Sequence, residues 1–300
     1  MNLNLARRAV LAALPTLALA RDLAAQPGPS PQPAGVETFD LGNGEGPEWR
    51  IRLARPEGPA PAGGHPSLWL LDGDITFPMA LRARQAVGAE GVALVGIGHP
   101  GDGRLNLAHR FLDLTPPTVA ETFGERRREN PPETGGRDTF LTFLDTILRP
   151  ELDRRMPLDP GRRTLFGHSL GALFGLHVLF TRPEMFEAYA LADPSIWWNR
   201  RSILDEQAAF LAGMRLAGGR VVRPLRLLVS ISGRPGQAAS LARMGPPNGR
   251  ETAAALAVVP GLRVGFRDMA EENHGTMIPL AIADALTLAT GRPPEEIAAG

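Results

Sequence analysis

Short apolar runs alternate with stretches of helical spacing along most of this chain. Residues Glu48 to Ala54 alternate between apolar and polar side chains, as in a strand with one covered face. Two further runs, Ser67 to Leu71 and Val92 to Ile97, are continuously apolar. Runs of this length predict strands that are buried on both faces, and a parallel sheet covered by helices requires such strands.

The remainder of the chain continues this alternation. Residues Arg137 to Leu152 carry Phe, Leu and Ile at helical spacing, whereas residues 98–136 have too little periodicity to predict more than an irregular excursion. The later segments are alternately strand-like and helix-like, at Thr164 to Phe166, Leu170 to Phe180, Ala188 to Ala192, Leu225 to Ile231, Leu262 to Phe266 and Ile278 to Leu288. This order predicts an α/β fold, with a doubly wound, mostly parallel sheet and helices on both faces.

The first residues have a different pattern. Residues 1–25 begin with Arg7-Arg8, continue with an apolar run from Ala9 to Ala20 and end on small residues, which predicts a removable export signal with a loose likeness to the twin-arginine type. Residues 26–36 are rich in Pro and Gly and predict a linker. We expect an exported protein, periplasmic or secreted, with no stable membrane association once the signal is removed.

Composition removes several kinds of chemistry. All 32 basic residues are arginine, the chain has no cysteine, and the net charge is zero. No Schiff-base lysine, phosphate-loop lysine, thiol nucleophile, thiolate zinc site or disulfide is therefore possible. A zero net charge gives no field that would attract nucleic acid, so we expect no nucleic-acid partner. Serine, threonine, histidine and the carboxylates remain for covalent chemistry.

One serine lies on a predicted sharp turn. Residues Gly167 to Gly171 read Gly-His-Ser-Leu-Gly and match G-x-S-x-G, with a strand before the motif and an apolar helix after it. The glycines on both sides are expected to prevent clashes between strand and helix. The turn would expose the hydroxyl of Ser169 at the carboxyl ends of the strands and direct the following helix N-terminus at a developing oxyanion.

A serine hydroxyl is a weak nucleophile unless a base takes its proton. On such a turn the order along the chain is Ser, acid, His. Of six histidines, only His274 follows the run from Leu262 to Phe266, in a loop that opens the next helix. We therefore predict that His274 is the base. No His-x-x-x-His or similar spacing supports a metal site.

With these motifs in place, the chain resembles the esterase family of α/β-hydrolases, and within it most resembles the periplasmic enterochelin and salmochelin esterases that cut trilactone siderophores. The resemblance covers residues 37–290 and implies a single α/β-hydrolase domain, with residues 291–300 as a C-terminal tail. It rests on motifs in the family's order: Leu71 to Asp74, Val95 to Gly98, Asp113 to Pro116, Gly135-Gly136 with Phe140-Leu141, Arg163 to Gly171, Pro194 to Trp198 and His274-Gly275.

The resemblance implies roles for particular residues. Ser169 would be the nucleophile and His274 the base, and the backbone N–H groups of Leu170 and Asp74 would form the oxyanion hole. The expected function is a serine esterase that hydrolyses a small-molecule ester through an acyl-enzyme. This chemistry needs no cofactor or metal, so any iron would belong to the substrate.

The acid departs from the family's pattern. Relatives usually place a glutamate just after the strand that here is Leu225 to Ile231, but residues 232–237 contain no carboxylate. Asp193, at the end of the preceding strand, is the candidate acid; it would otherwise form a turn or a helix cap before Pro194. A Ser-His dyad is the alternative. Weaker candidates for the acid are Glu251, Asp268, Glu271 and Glu272.

The substrate pocket and the function also leave alternatives. Arg110, Trp197 and Trp198 are predicted to bind substrate, with Phe111 beside them, although the tryptophans suit core packing equally well. A general exported carboxylesterase acting on small or sugar-linked acyl esters would use the same catalytic residues. A non-catalytic binding protein is the other alternative, and it is favoured by Arg234, which stands where an acid is expected.

Overall fold

A computed structural model describes residues 35–299, except 43, 45, 47, 102, 124–128, 217 and 234–244. The predicted export signal lies outside the described residues, as do residues 26–34 of the predicted linker and Arg234. Within the described residues, no helix combines the length and the apolar character needed to cross a membrane.

The described residues form one eight-stranded sheet in the order β1-β2-β4-β3-β5-β6-β7-β8. Strand β2 is antiparallel to both β1 and β4 at one edge, and the strands from β4 through β3 to β8 are parallel to one another. The strand bounds are β1 Val36–Leu41, β2 Trp49–Ala54, β3 His65–Leu70, β4 Ala93–Gly98, β5 Leu158–His168, β6 Ala188–Ala192, β7 Leu225–Ser232 and β8 Leu262–Met269.

Helices connect the strands. Between α3 and α4 the chain makes a π-helical segment, Leu144–Leu148, and a 3₁₀ turn lies at Ala120–Thr122. The helix bounds are α1 Gly73–Ala83, α2 Leu107–Leu114, α3 Arg137–Phe143, α4 Arg149–Arg155, α5 Leu170–Thr181, α6 Trp198–Arg201, α7 Ile203–Leu216, α8 Gly249–Leu256, α9 Ile278–Ala289 and α10 Pro294–Ala299.

Alternate residues of the central strands enter two separate cores. On β3 and just beyond it, Trp69 and Leu71 join the core that contains helix α5, whereas Leu68 and Leu70 join the core that contains α1 and α9. All residues of β3 and β4 are buried. The prediction of a mostly parallel α/β sheet with helices on both faces is therefore confirmed.

Some elements were not predicted. Helix α2 lies inside the stretch that was predicted to be irregular, so that prediction was wrong for residues 107–114. Its apolar residues do lie at helical spacing, but only over about two turns, between segments rich in Gly and Pro. Asn106 caps the helix, and its side chain accepts a hydrogen bond from the backbone N–H of His109. Helix α10 occupies most of the segment predicted as a C-terminal tail.

Three residues at the carboxyl edge of the sheet have positive φ although none is glycine. They follow β3, β5 and β6, as Asp72 at 54°, Ser169 at 59° and Asp193 at 45°. Such backbone conformations cost about 1–3 kcal/mol each and persist only where the surroundings impose them. The sheet imposes two of them, because the backbone N–H groups of Ser169 and Asp193 donate to the neighbouring strands. These three strand ends define the candidate site.

Candidate active site

The backbone at Ser169 makes the sharp turn that the motif predicts. Strand β5 ends at His168, α5 begins at Leu170, and Ser169 between them has φ 59° and ψ −114°. Its N–H donates to the carbonyl of Ala192 at 2.9 Å, and its own carbonyl accepts from the N–H of Leu173 at 3.0 Å. Both sides of the turn are thus anchored, and the hydroxyl opens on a pocket at the carboxyl edge.

The two glycines of the motif have unequal steric needs. A Cβ on Gly167 would lie 2.3 Å from the carbonyl oxygen of Gly171, so glycine is required there. A Cβ on Gly171 would meet no atom closer than 3.6 Å, the nearest being Oδ2 of Asp72. The expectation that both glycines prevent clashes is therefore right for Gly167 and wrong for Gly171.

His274 and Asp193 meet above the ends of β6 and β8. Nδ1 of His274 lies 2.9 Å from Oδ2 of Asp193. The Asp193 carboxylate also accepts hydrogen bonds from Ser232, at 2.8 Å from the backbone N–H and 2.6 Å from the hydroxyl. The Asp193 side chain is 6% exposed and that of His274 is 44% exposed, so a buried acid orients a histidine that reaches solvent.

The hydrogen bonds set the protonation of this acid. Burial by itself would raise the pKa of Asp193, but the bonds from His274 and Ser232 outweigh burial, and the pKa lies below its usual value. The carboxylate is therefore ionised at neutral pH. An ionised acid at Nδ1 leaves the other nitrogen of the His274 ring as a proton acceptor.

Ser169, Asp193 and His274 line one pocket of about 190 Å³, most of whose wall is apolar. Ser195 lies beside the nucleophile candidate, with its hydroxyl 3.3 Å from the Ser169 hydroxyl and its N–H donating to the Ser169 carbonyl at 3.2 Å. The other lining residues come from the ends of β6 and β7 and from the segment before α8: Pro194, Ile196, Trp197, Ile231, Ser232, Gly245, Pro247, Asn248 and Gly249.

The predicted oxyanion donors both lie in first helical turns. Leu170 is the first residue of α5, and Asp74 is the second residue of α1. Amides in a first turn have no acceptor within their own helix, and they carry the positive end of the helix dipole. The Asp74 carboxylate is held by Arg52 at 2.8 Å and by the backbone N–H of His99 at 3.3 Å.

The predicted substrate-binding residues fall into different environments. Nε of Arg110 donates to Asp72 at 2.8 Å and Nη2 donates to the carbonyl of His168 at 3.1 Å, which ties the guanidinium to the protein. Trp198 is buried, donates to Thr118 at 2.9 Å and stacks on Phe111, as in core packing. Only Trp197, which is 37% exposed, lines the pocket.

The weaker acid candidates have other partners or are absent from the pocket lining. Glu251 accepts from the backbone N–H of Asn248 at 2.8 Å, where it completes the cap of α8. Asp268 pairs with Arg250 at 2.5 Å. Glu271 and Glu272 are absent from the pocket lining. Of the five candidate acids, Asp193 alone hydrogen-bonds to His274 among the described contacts.

His168, the second residue of the motif, packs against the predicted base. Its ring centroid lies 4.3 Å from that of His274, and its side chain hydrogen-bonds to the His274 backbone. Burial lowers the pKa of His168 to about 3, so the ring is neutral at neutral pH. One ring nitrogen of each histidine and one carboxylate oxygen of Asp193 lie within 4.8 Å of one another, and these three could hold a metal ion.

A second histidine–carboxylate pair lies on the other side of the serine, at the end of β4. Nε2 of His99 lies 2.8 Å from Oδ2 of Asp113, and the same oxygen accepts from the indole N–H of Trp49 at 2.7 Å. The His99 ring stacks on His109 at 4.9 Å. The void beside this network measures about 10 Å³.

Sequence reasoning did not assign roles to Ser232 and Ser195. Ser232 donates twice to Asp193, and Ser195 contacts the Ser169 hydroxyl. The signals in the sequence were the position of Ser232 directly after a predicted strand and the place of Ser195 in the motif Pro194 to Trp198, close behind another strand. Residues at parallel strand ends share one edge of the sheet.

The chain is similar to known esterases. Residues 45–221, more than half of the chain, match the family described as "Putative esterase". The chain is 32% identical over 251 residues to the ferri-bacillibactin esterase BesA of Bacillus subtilis, covering 80% of this chain and 84% of the relative. It is 33% identical over 243 residues to a siderophore enterobactin esterase of Emericella nidulans, covering 73% and 80%.

Solved structures agree with the fold. The BES protein of Bacillus cereus has a TM-score of 0.75 and 26% identity, covering 87% of this chain and 98% of that structure. The siderophore hydrolase EstA of Aspergillus nidulans has a TM-score of 0.71 and 27% identity, covering 85% and 94%. The prediction of an α/β-hydrolase fold and the resemblance to siderophore esterases are both confirmed.

Proposed function

Because the chain belongs to this esterase family, and is thus a hydrolase of carboxylic esters, we propose that Ser169 is its nucleophile, His274 its general base and Asp193 the acid that orients His274. The observation that carries the proposal is the contact of 2.9 Å between His274 and Asp193, in the pocket onto which Ser169 opens. It supports a full triad over a Ser-His dyad, with the acid after β6.

The proposed reaction has two halves. Ser169 attacks the ester carbonyl while His274 takes the hydroxyl proton, and the backbone N–H groups of Leu170 and Asp74 stabilise the oxyanion. The alcohol leaves with the proton from His274, and water then cleaves the acyl-enzyme by the same route. Ionised Asp193 stabilises the imidazolium in both halves. Each step uses only side chains and amides of this chain.

We propose a polyester siderophore as the physiological substrate. The support is that the relatives are named for bacillibactin, enterobactin and triacetylfusarinine C. The cavity of about 190 Å³ has room for one arm or one ester unit of such a molecule, with the rest outside. Trp197 provides an exposed aromatic wall for an arm, while Arg110 holds Asp72 and the carbonyl of His168, just before the turn at Ser169.

Active-serine labelling tests the nucleophile. A fluorophosphonate probe is expected to form one adduct on Ser169, and Ser169→Ala is expected to lose both the adduct and turnover, with a fall of about 10⁶-fold in kcat. Far-UV circular dichroism of the variant controls for folding. A wild-type chain that forms no adduct would contradict the hydrolase mechanism and favour the binding-protein alternative.

A substrate comparison tests the siderophore. The ratio of kcat/KM for an iron-free catecholate trilactone to that for p-nitrophenyl butyrate is expected to exceed about 100, because the remote arms add binding energy that a short acyl chain lacks. In Trp197→Ala this ratio of the two kcat/KM values is expected to be lower than in wild type. Equal turnover of the two esters would instead support a general carboxylesterase.

We propose further that the enzyme is exported. The support is the charged start, the apolar run and the small-residue exit in residues 1–25. Expression of the full chain followed by cell fractionation and N-terminal sequencing is expected to give a shortened chain outside the cytoplasm. A full-length chain that remains in the cytoplasm would contradict export.

A further inference from the structure

We propose that His168, Asp193 and His274 form an inhibitory binding site for a divalent transition-metal ion of the Zn²⁺ class. The ion would bind directly to the predicted base and acid. Occupancy would switch the enzyme off, and a chelator would restore activity. The inhibition rests on the proposed catalytic roles of His274 and Asp193, whereas the binding itself does not.

The donor set suits this class of metal. Two imidazoles and one carboxylate are common zinc ligands, and a chain without cysteine offers no thiolate alternative. One donor atom from each of the three residues lies within 4.8 Å of the others. Among the described residues, no other group of three or more such side chains brings its ligand atoms this close together.

The ring of His168 is prepared to act as a ligand. The side chain is buried, at 8% exposure, and it hydrogen-bonds to the backbone of His274. Its Nε2 atom is buried and has no hydrogen-bond partner. A metal-binding histidine commonly donates its other ring N–H to a backbone carbonyl, which directs the lone pair of the remaining nitrogen at the metal. A bound ion would give the unpartnered nitrogen its missing partner.

The shift needed to close the site is small. Tetrahedral zinc with bonds of about 2.0 Å places its ligand atoms about 3.3 Å apart, so the widest separation must shrink by at most about 1.5 Å. His274 can make this movement, because it lies in the loop between β8 and α9 and its side chain is 44% exposed. Nδ1 of His274 and Oδ2 of Asp193 are already 2.9 Å apart.

The surroundings supply the rest of a metal site. Ser232 donates two hydrogen bonds to Asp193, which is the outer-shell support that orients a ligating carboxylate. The pocket at Ser169 leaves a fourth position open to water or to the carboxylate of a hydrolysed product. Metal at His274 would leave Ser169 without its base, so occupancy and turnover would exclude one another.

Cobalt spectroscopy on the full chain tests binding without reference to activity. Co²⁺ is expected to produce tetrahedral d–d absorption at one ion per chain, and Zn²⁺ to abolish that absorption by displacement. His168→Gln is expected to lose the bands, and His109→Gln, which removes a histidine outside the three, to keep them. Absent bands in wild type, or bands that persist in His168→Gln, would overturn the proposal.

Inhibition is measured against each variant's own activity without metal. Zn²⁺ is expected to inhibit wild type and His109→Gln reversibly, with recovery in EDTA, and to block fluorophosphonate labelling of Ser169. In His168→Gln the half-inhibitory concentration is expected to rise at least about tenfold. Equal sensitivity in wild type and His168→Gln would overturn the proposal. If the chain binds cobalt but has no esterase activity, the proposed catalytic function is contradicted and the metal site is not.

If His168→Gln does not fold, the same comparison is made with His168→Asn, and the wild-type cobalt spectrum still decides whether the site exists. Zn²⁺ is also expected to raise the melting temperature of wild type, because an ion that binds only the native state stabilises it. A melting temperature unchanged by Zn²⁺, together with absent cobalt bands, would overturn the proposal without any variant.

Discussion

Two histidine–carboxylate pairs lie at the same edge of the sheet, on either side of Ser169. His274 and Asp193 are 2.9 Å apart beside an open pocket, and His99 and Asp113 are 2.8 Å apart beside a void of about 10 Å³. The distances are almost equal. The pairs differ in how far the histidine is exposed to solvent. They also differ in the second partner of the carboxylate, which is Ser232 for Asp193 and Trp49 for Asp113.

The second pair is closed by its neighbours. Asp113 accepts from Trp49 as well as from His99, and the ring of His99 is covered by His109. The His274 side chain is 44% exposed, against 13% for His99. A histidine–carboxylate contact therefore does not by itself mark a catalytic site, because an adjacent nucleophile and room for a substrate are also needed.

The same change, aspartate to asparagine, can be made in each pair, and the larger effect on activity is expected at Asp193. Asp193→Asn removes the charge that stabilises the imidazolium of His274, so kcat is expected to fall by about 10³–10⁴-fold with little change in KM. Steady-state kinetics on a chromogenic ester measure this. Near-normal kcat would contradict the triad and favour a Ser-His dyad.

Asp113→Asn is the matched change on the closed side. It weakens charge-assisted hydrogen bonds from Trp49 and His99, so the free energy of unfolding is expected to fall by about 1–3 kcal/mol. The value of kcat is expected to change less than about threefold. Urea denaturation and the same ester assay measure both. A loss of kcat as large as that of Asp193→Asn would show that the closed pair takes part in catalysis.

The ion pair of Asp284 and Arg267, away from both histidine–carboxylate pairs, shows the energetic cost of a buried charge. Burial raises the pKa of Asp284 to about 6, against the opposing effect of Arg267, whose Nη1 lies 2.5 Å away. Between about pH 4 and pH 6 the folded state therefore binds more protons than the unfolded state, and stability falls as pH rises through this range.

By pH 7 the loss of unfolding free energy caused by the raised pKa of Asp284 amounts to at most about 3 kcal/mol. Asp284→Asn is expected to flatten the decline in unfolding free energy between pH 4 and pH 7 while kcat stays unchanged. Denaturant titrations at several pH values measure it. A variant whose stability falls with pH as steeply as that of wild type would contradict the raised pKa.

The smallest effect is expected at Gly171, in the first turn of the helix that follows Ser169. Gly171→Ala places a Cβ no closer than 3.6 Å to any atom, within helix α5, where alanine is favoured over glycine by up to about 1 kcal/mol. Stability is expected to be unchanged or slightly higher, with kcat retained. Gly167→Ala, with its contact at 2.3 Å, is the destabilised control. Equal losses in both variants would contradict the steric difference.

The sequence was sufficient to predict strands β2 to β8, the sharp turn at Ser169 and the loop that holds His274, but not β1. These follow from local patterns: continuous apolar runs read as buried strands, and Gly167 permits the turn whatever the rest of the chain does. Helix α2 escaped prediction because its helical spacing lasts only about two turns, inside a stretch rich in Gly and Pro.

The assembled fold was needed to show which acid meets His274 and which predicted pocket residues reach the pocket. Asp193 and His274 are 81 positions apart, and their contact depends on the register between β6, β7 and β8, which no local pattern reports. Arg110 is held by Asp72, and Trp197 lines the pocket while its neighbour Trp198 is buried. Strand register and side-chain pairing are long-range properties, so they appear only when the whole sheet is assembled.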